Sequence, residues 1–248
     1  MTSTVSVEAA GRTHTGLVRR RNEDALYVGR SLFAVADGLG GHPAGDRASA
    51  AVIEALPGYD RPVGPAELLA ALGQAVRAAN DALRQKIDVE PHLAGMGTTL
   101  VALLCSGSSA VLANVGDSRA YLLRDGDPDS GTTAQITDDH TYDRLLADAT
   151  DVPNLGERLS RWLDGRDDGR SPDLTTWDLR PGDRFMLCSD GLSSFVPPDL
   201  IDTTLRSSTD PAEAAGRLVA LAIDHGGRDN VTVVVIDIRG WRRCAAGR

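Results

Sequence analysis

TTLVALLCSGSSAVLANVGDSRAYLLR, residues 98–124, is the stretch that decides how this chain folds. It contains three apolar runs rich in valine, leucine and alanine, and each run has the length of a β-strand. The breaks at 106–108 and 116–118 are short and carry glycine, which favours tight turns. Because tight turns join antiparallel neighbours, the stretch predicts an antiparallel sheet.

The same strand pattern recurs along most of the chain. Together with 98–105, 110–115 and 119–124 it marks residues 5–10, 25–28, 32–36, 134–137, 174–179, 184–188 and 231–238. Helical periodicity marks 46–56, 66–87 and 211–225, with weaker signals at 142–149 and 155–163. Helices inserted between groups of strands predict layers outside the sheets. We therefore expect an α+β fold in which two antiparallel sheets pack as a sandwich flanked by helix pairs.

Length and composition are those of an ordinary globular protein. Of the 248 residues, 42% are hydrophobic and 25% are charged, and neither a repeat nor a low-complexity linker divides the chain. We predict a single domain over residues 1–248, with its core at about 5–239. The formal charge of −9 argues against nucleic acid as a partner.

Targeting signals and disulfides are also not expected. No apolar run reaches the roughly 18–20 residues that span a bilayer, and the N-terminus lacks the basic and apolar regions of a signal peptide. The three cysteines, Cys105, Cys188 and Cys244, make no disulfide framework, so we predict reduced thiols. We expect a monomeric, cytoplasmic protein that has no membrane partner.

Acidic residues recur at the ends of the predicted strands. A single Asp-Gly pair is most often turn chemistry, but here the pattern repeats beside several strongly apolar runs. Clustered carboxylates on rigid strand ends suit hard divalent cations, and no cysteine or histidine spacing typical of zinc is present. The sequence therefore predicts magnesium or manganese. The residues concerned are Glu23, Asp24, Asp37, Asp117, Asp190 and Asp229.

Eight short blocks, taken in order, resemble protein phosphatase 2C, the metal-dependent PPM family. Any one block is a weak match, whereas eight in order from about residue 7 to residue 238 are specific. They are TGLVRRRNED at 15–24, ADGLGGH at 36–42, MGTT at 96–99, NVGDSRAY at 114–121, TDDH at 137–140, PGD at 181–183, CSDGL at 188–192 and GRDNVT at 227–232.

The resemblance implies a site for two ions, Mn²⁺ or Mg²⁺, in a cleft at one edge of the sandwich. Asp37 would bridge both ions. Asp190 and Asp229 would complete the protein ligands of one ion, while Glu23 and the carbonyl of Gly38 would hold the other.

Further roles follow from the same resemblance. Asp117, with Asp190, would form the weaker third ion site of bacterial members, and Asp24 would lie just behind the direct ligands. Arg19 stands four residues before Glu23, where the family places its phosphate-binding arginine. A guanidinium can hold two phosphate oxygens at once, which suits this role.

The implied activity is hydrolysis of phosphoserine and phosphothreonine on proteins, opposing a bacterial Ser/Thr kinase. A hydroxide that bridges two ions would attack phosphorus in line. The sequence departs from eukaryotic members at the proposed general acid, where it has Leu39 in place of histidine. His42 is one alternative proton donor, and a metal-bound water is the donor we expect.

A second departure lies at 141–171, the region of the mobile flap of bacterial members. This region carries NLGERLSRW at 154–162 in place of the longer usual segment. Trp162 is expected to pack in the core, with substrate contact as the alternative. Flap behaviour and substrate preference therefore stay open.

Other phosphatase classes fit the sequence less well. A cysteine nucleophile needs arginine six positions later, but Val111 follows Cys105 there and Ser194 follows Cys188. A catalytically inactive binding protein on the same fold would lose acidic ligands that this chain retains. A phosphatase of the sporulation and stress branch is a related alternative, weakly disfavoured by Arg19 and the TDDH block.

Overall fold

Ten strands lie within the residues that the computed structural model describes, 3–39, 44–124, 133–142, 158–167 and 171–243. They form two five-stranded sheets with the orders β1-β10-β9-β6-β7 and β2-β3-β4-β5-β8, and every pair is antiparallel. The strands are β1 (Ser3–His14), β2 (Asp24–Val28), β3 (Leu32–Asp37), β4 (Leu100–Ser106), β5 (Ser109–Val115), β6 (Arg119–Leu123), β7 (Ala134–Gln135), β8 (Asp173–Asp178), β9 (Arg184–Cys188) and β10 (Val231–Arg243).

Helices cover the outer faces of both sheets. The sheet that contains β3 and β4 packs against α1 and α2, and the sheet that contains β9 and β10 packs against α4 and α5. None of the described helices is both long and apolar enough to cross a membrane. The predicted α+β sandwich with flanking helix pairs is confirmed. The helices are α1 (Gly45–Glu54), α2 (Leu68–Val89), α3 (Asp190–Ser193), α4 (Pro198–Ser207) and α5 (Pro211–Asp224).

Strand β3 shows why its sequence is apolar throughout. Successive side chains of a strand point to opposite faces, and both faces of this strand are covered. Leu32 and Ala34 belong to the cluster under α1 and α2, while Phe33 and Val35 belong to the cluster between the sheets. Both faces therefore need apolar residues, which gives a continuous run in place of alternation.

One predicted turn connects the two sheets and does not form a hairpin. The break at 106–108 joins the paired strands β4 and β5, as predicted. The break at 116–118 does not join paired strands, because β5 pairs with β4 and β8 whereas β6 pairs with β7 and β9. The prediction of antiparallel pairing across the second turn is therefore wrong, and Asp117 lies where the chain crosses between sheets.

The helices predicted at 46–56, 66–87 and 211–225 are present as α1, α2 and α5, whereas other helix predictions were wrong. Helix α2 begins at Leu68, after a 3-10 turn at Pro65–Glu67. Two helices were not predicted: α4, which has ten residues and few apolar side chains, and the four-residue α3. Residues 158–163 form no helix and instead make bridges to the rest of the fold. Most of the weak signal at 142–149 lies outside the described residues.

The described cysteines agree with the prediction of reduced thiols. Cys105 and Cys188 are both buried and free. Burial raises the pKa of each thiol to about 12, so neither ionises readily at neutral pH. Cys244 lies outside the described residues.

Candidate functional site

A cleft of about 200 Å³ lies where the ends of several strands meet. Every residue predicted as a direct ligand lines it, together with the expected phosphate-binding arginine. Asp24 does not line the cleft and is buried behind it. The lining residues are Arg19, Glu23, Asp37, Gly38, Leu39, Thr99, Asp117, Leu159, Asp190 and Asp229.

Strand pairing brings these distant parts of the sequence together. Asp24 at the start of β2 stands opposite Asp37 at the end of β3. Strand β9 ends at Cys188, whose partners are Arg119 on β6 and Val233 on β10. The segments that carry Asp117, Asp190 and Asp229 adjoin these same strand ends, and the sheet register therefore sets the positions of the carboxylates.

Thr98 and Thr99 form hydrogen bonds with both the backbone N–H and the backbone carbonyl of Asp37. Its N–H donates to Oγ1 of Thr99 at 3.0 Å. Its carbonyl accepts from Oγ1 of Thr98 at 2.7 Å and from the N–H of Thr99 at 2.9 Å. Both threonine side chains are buried, so this carboxylate stands on a rigid support. The two threonines of the MGTT block therefore position Asp37, a role that the sequence alone did not indicate.

Gly38 permits a close approach between two segments of the cleft. Its N–H donates to the carbonyl of Glu23 at 3.0 Å. A Cβ atom at this position would collide with the backbone carbonyl oxygens of Gly45 and Glu23, so only glycine fits. This close packing places Glu23 beside the Gly38 backbone, next to Asp37.

Asp24 connects the start of β2 to β10 through Ser189, the residue that follows β9. Its Oδ2 accepts from the hydroxyl of Ser189 at 2.8 Å, and that hydroxyl oxygen accepts from the N–H of Thr232 at 3.0 Å. Its Oδ1 is buried and has no hydrogen-bond partner among the described residues. The location of Asp24 just behind the cleft is the one that the sequence analysis expected.

The crowding of carboxyl groups perturbs their ionisation. Burial raises the pKa of Asp37 well above its ordinary value of 3.8, and the charges of Asp24, Asp190 and Asp117 raise it further. Burial likewise raises the pKa of Asp24 to about 6 and that of Asp117 to about 7. The pKa values of Glu23 and Asp190 are raised as well, mainly by burial. The cleft thus concentrates negative charge that protein cations only partly compensate.

The donor set fits a hard divalent cation. It consists of carboxylate oxygens with a nearby backbone carbonyl, and the residues that line the cleft include no cysteine or histidine. Among the described residues, however, no three acidic, histidine or cysteine side chains already converge as a ready ligand set. Asp229 shows one reason, since its Oδ2 accepts from Arg19 at 2.6 Å and its Oδ1 accepts from the N–H of Asn230 at 2.8 Å.

Arg19 lies in the cleft, as expected of a phosphate-binding group. Its side chain is 46% exposed, and its Nη2 donates to Asp229. It therefore combines a fixed position beside the carboxylates with access from solvent. The arrangement can attract an anion to an otherwise acidic cleft.

His140, the last residue of the TDDH block, fixes the turn that carries Asp117. Its Nδ1 accepts from the N–H of Gly116 at 3.0 Å, so the ring proton resides on Nε2. Nε2 donates to Oδ2 of Asp173 at 2.9 Å, and Oδ1 of that carboxylate accepts from Arg161 at 2.7 Å. The TDDH block thus connects the Asp117 turn to the 158–167 segment.

Leu39 and Leu159 line the acidic cleft, whereas Trp162 does not. Leu39 lines the cleft at the position of the expected histidine, and His42 lies outside the described residues. Trp162 is half-buried and packs closely on Gly97, at the edge of the fold and not within a core cluster of the described residues. It does not line the acidic cleft, whereas Leu159 from the same segment does.

Comparisons with known proteins agree with this site. Serine/threonine protein phosphatase PstP of Mycobacterium tuberculosis is 44% identical over 242 residues. The alignment covers 95% of this chain and 46% of that protein, so the chain spans about half the length of this relative. Serine/threonine phosphatase stp of Listeria welshimeri is 34% identical over 250 residues, covering 93% of this chain and 96% of that protein.

A solved structure extends the similarity to three dimensions. The catalytic domain of PstP in complex with two manganese ions superposes with a TM-score of 0.84 at 45% identity, covering 96% of this chain and all of that one. The family model described as Protein phosphatase 2C matches residues 11–222. Since that match contains nearly the whole lining of the cleft and the similarity runs through both sheets, the chain belongs to the protein phosphatase 2C family.

Proposed function

We propose that this chain is a metal-dependent protein-serine/threonine phosphatase that hydrolyses phosphoserine and phosphothreonine on proteins. The observation that carries the proposal is the joint placement of Arg19 and five carboxylates, those of Glu23, Asp37, Asp117, Asp190 and Asp229, around one cleft. Family membership supports it, and so do the names and the two manganese ions of the related proteins.

The proposed ligands divide as the resemblance implied. Asp37 would bridge two Mn²⁺ or Mg²⁺ ions, with Asp190 and Asp229 on one side and Glu23 and the carbonyl of Gly38 on the other. The geometry supports this division, because all of these residues line one cleft and the N–H of Gly38, the residue after Asp37, donates to the carbonyl of Glu23. When bound, the ions would activate a water molecule and offset the charge of the phosphoryl group.

Asp117 and Asp24 would act at a greater distance from the reacting phosphate. Asp117 lines the cleft and feels the charge of Asp190, which supports a weaker third ion site between them. Asp24 would steady the site from behind through Ser189.

Arg19 would bind the phosphoryl group, and solvent would protonate the leaving oxygen. Arg19 would leave Asp229 to hold the phosphoryl oxygens of the substrate, orienting phosphorus above Asp37. Leu39 has no proton to give, so the leaving oxygen would take its proton from water in the cleft. His42 stays an alternative donor.

The cellular setting is part of the same proposal. We infer that residues 1–248 form one phosphatase domain and that the enzyme is monomeric and cytoplasmic and opposes a Ser/Thr kinase. Two buried free cysteines support a reducing compartment, and the acidic surface disfavours nucleic acid as a partner.

Turnover of p-nitrophenyl phosphate and of a phosphothreonine peptide tests the activity. Both should be hydrolysed with Mn²⁺ and should stop with EDTA, and added Mn²⁺ should restore them. Turnover that EDTA leaves unaffected would contradict the metal dependence. Absent turnover despite bound Mn²⁺, shown by calorimetry, would favour the inactive binding protein.

A further inference from the structure

The loop at residues 15–22, here called the rim loop, presents an unusual surface beside the cleft. It connects β1 to β2 and contains Arg19, which lines the cleft. Leu17 and Val18 are each 66% exposed, although both are apolar. Arg20 and Arg21 follow and are also exposed. Apolar and cationic side chains thus stand together at the entrance to the phosphate site.

The rim loop is held in place from the interior. Asn230 is 5% exposed, and its Nδ2 donates to the carbonyls of Thr15 at 2.9 Å and Arg21 at 2.8 Å, at the two ends of the loop. The N–H of Leu17 donates to the carbonyl of Gly227 at 2.7 Å. The backbone is therefore fixed before any partner arrives, which lowers the entropic cost of binding.

Arg19 of the rim loop is paired with Asp229, whereas the two arginines that follow it form no ion pair with the described residues. Many arginines of this chain pair with a carboxylate, as Arg119 does with Asp139 and Arg184 does with Asp237. Neither Arg20 nor Arg21 forms an ion pair with a carboxylate of the described residues, although the charge of Arg21 acts on Glu23. In a chain of net charge −9, two such arginines beside the active cleft form a local cationic surface.

Arg228 extends this surface across the neighbouring turn. It is exposed and lies over the ring of Phe195, with 5.9 Å between the guanidinium carbon and the ring centroid. Gly227, which precedes it, packs against Leu17 of the rim loop. The cationic and apolar side chains therefore form one continuous face next to Arg19.

We propose that the rim loop docks the polypeptide that flanks the phosphorylated residue and selects acidic side chains there. Arg20 and Arg21 would pair with glutamate or aspartate of the substrate, while Leu17 and Val18 would contact an apolar neighbour. The proposal rests on the phosphatase function proposed above and adds a substrate class to it.

Two matched phosphothreonine peptides test the docking role. One carries glutamate at the positions beside phosphothreonine and the other carries glutamine, which has the same shape without the charge. Wild-type protein should have the higher kcat/KM on the glutamate peptide, mainly through KM. In the double variant Arg20→Gln, Arg21→Gln the ratio of the two kcat/KM values should fall by roughly two- to thirty-fold, the range expected for losing two exposed ion pairs.

The control is the double variant Arg61→Gln, Arg180→Gln, which removes the same charge elsewhere. Both residues are exposed, and they lie near the strand ends of β3 and β9 that are farthest from Asp37 and Asp190. This variant should keep the wild-type peptide ratio. Rising salt should reduce the wild-type preference, since it screens exposed charge pairs.

The outcomes separate the two proposals. An unchanged peptide ratio in the Arg20, Arg21 variant, or an equal loss on both peptides, would overturn the docking role alone. Wild-type protein that does not hydrolyse p-nitrophenyl phosphate with Mn²⁺ would overturn the phosphatase function, and the docking role with it.

Discussion

The guanidinium of Arg19 donates to Oδ2 of Asp229 at 2.6 Å, so the proposed phosphate-binding group is paired with a proposed metal ligand. The two residues are 210 positions apart in sequence. The pair compensates part of the negative charge of the cleft. It also means that binding of phosphate would separate Arg19 from Asp229, and binding of a cation would separate Asp229 from Arg19.

Arg19→Ala tests this relationship. The variant should lose roughly 10- to 100-fold in kcat/KM for p-nitrophenyl phosphate, mainly through KM, because hydrogen bonds to charged groups contribute about 1.5–3 kcal/mol. Calorimetric titration with Mn²⁺ should show affinity no weaker than wild type, since Asp229 is freed. A parallel loss of Mn²⁺ affinity would show that Arg19 supports the ligands and does not hold phosphate.

Asp37→Asn should separate metal binding from folding. Removing the central charge should abolish Mn²⁺-dependent turnover and the rise in Tm that Mn²⁺ produces. Without metal, the Tm should not fall, because the substitution relieves repulsion among buried carboxylates. Asp88→Asn, at an exposed position on α2, is the matched control and should behave as wild type. A large loss of Tm in metal-free Asp37→Asn would contradict this account.

Asp117→Ala addresses the third ion. Calorimetry should retain the two tight Mn²⁺ sites and lose a weaker one, because the other direct ligands are unchanged. Turnover at saturating Mn²⁺ should fall if that ion takes part in the reaction, and we expect this result. Wild-type turnover in the variant would show that the third ion is incidental.

Asp60 supports a pH-dependent part of the stability, far from the cleft. Its carboxylate accepts from the N–H groups of Arg30, Ser31 and Leu32 and from the Ser31 hydroxyl, at 2.7–3.1 Å. Burial alone would raise the pKa of Asp60, but these hydrogen bonds outweigh it and hold the pKa below 3.8. A lowered pKa in the folded state stabilises the protein above the unfolded pKa, and this contribution is lost as pH falls through the folded value.

Asp60→Asn should therefore lower the free energy of unfolding by about 1–3 kcal/mol at pH 7, measured by urea denaturation. The difference from wild type should shrink as the pH falls below about 4, where Asp60 of the unfolded wild type becomes protonated, and should vanish once the pH passes below the lower folded pKa. A difference that stays constant from pH 7 to pH 3 would show that the carboxylate charge is not the cause.

Local patterns in the sequence were enough to predict the sandwich and the acidic residues of the site. Buried strands of this length need continuous apolar runs, and such runs are visible without knowledge of their partners. The acidic residues stood out because they recur at the ends of several apolar strands, although a single Asp-Gly pair is ordinary turn chemistry. Helix α4 was missed because it has only ten residues and few apolar side chains, although Ile201 and Leu205 share its buried face.

The sequence by itself thus determined the strands, the fold class and the identity of the carboxylates. Only the tertiary structure decided which sheet each strand joins, and it placed the turn of Asp117 between the two sheets. It also paired Arg19 with Asp229 and brought Asn230 into hydrogen-bonding distance of both ends of the rim loop. The physical reason is that the apolar pattern of a strand depends only on neighbouring residues. Sheet order and contacts between distant loops depend on how the whole chain packs around its core.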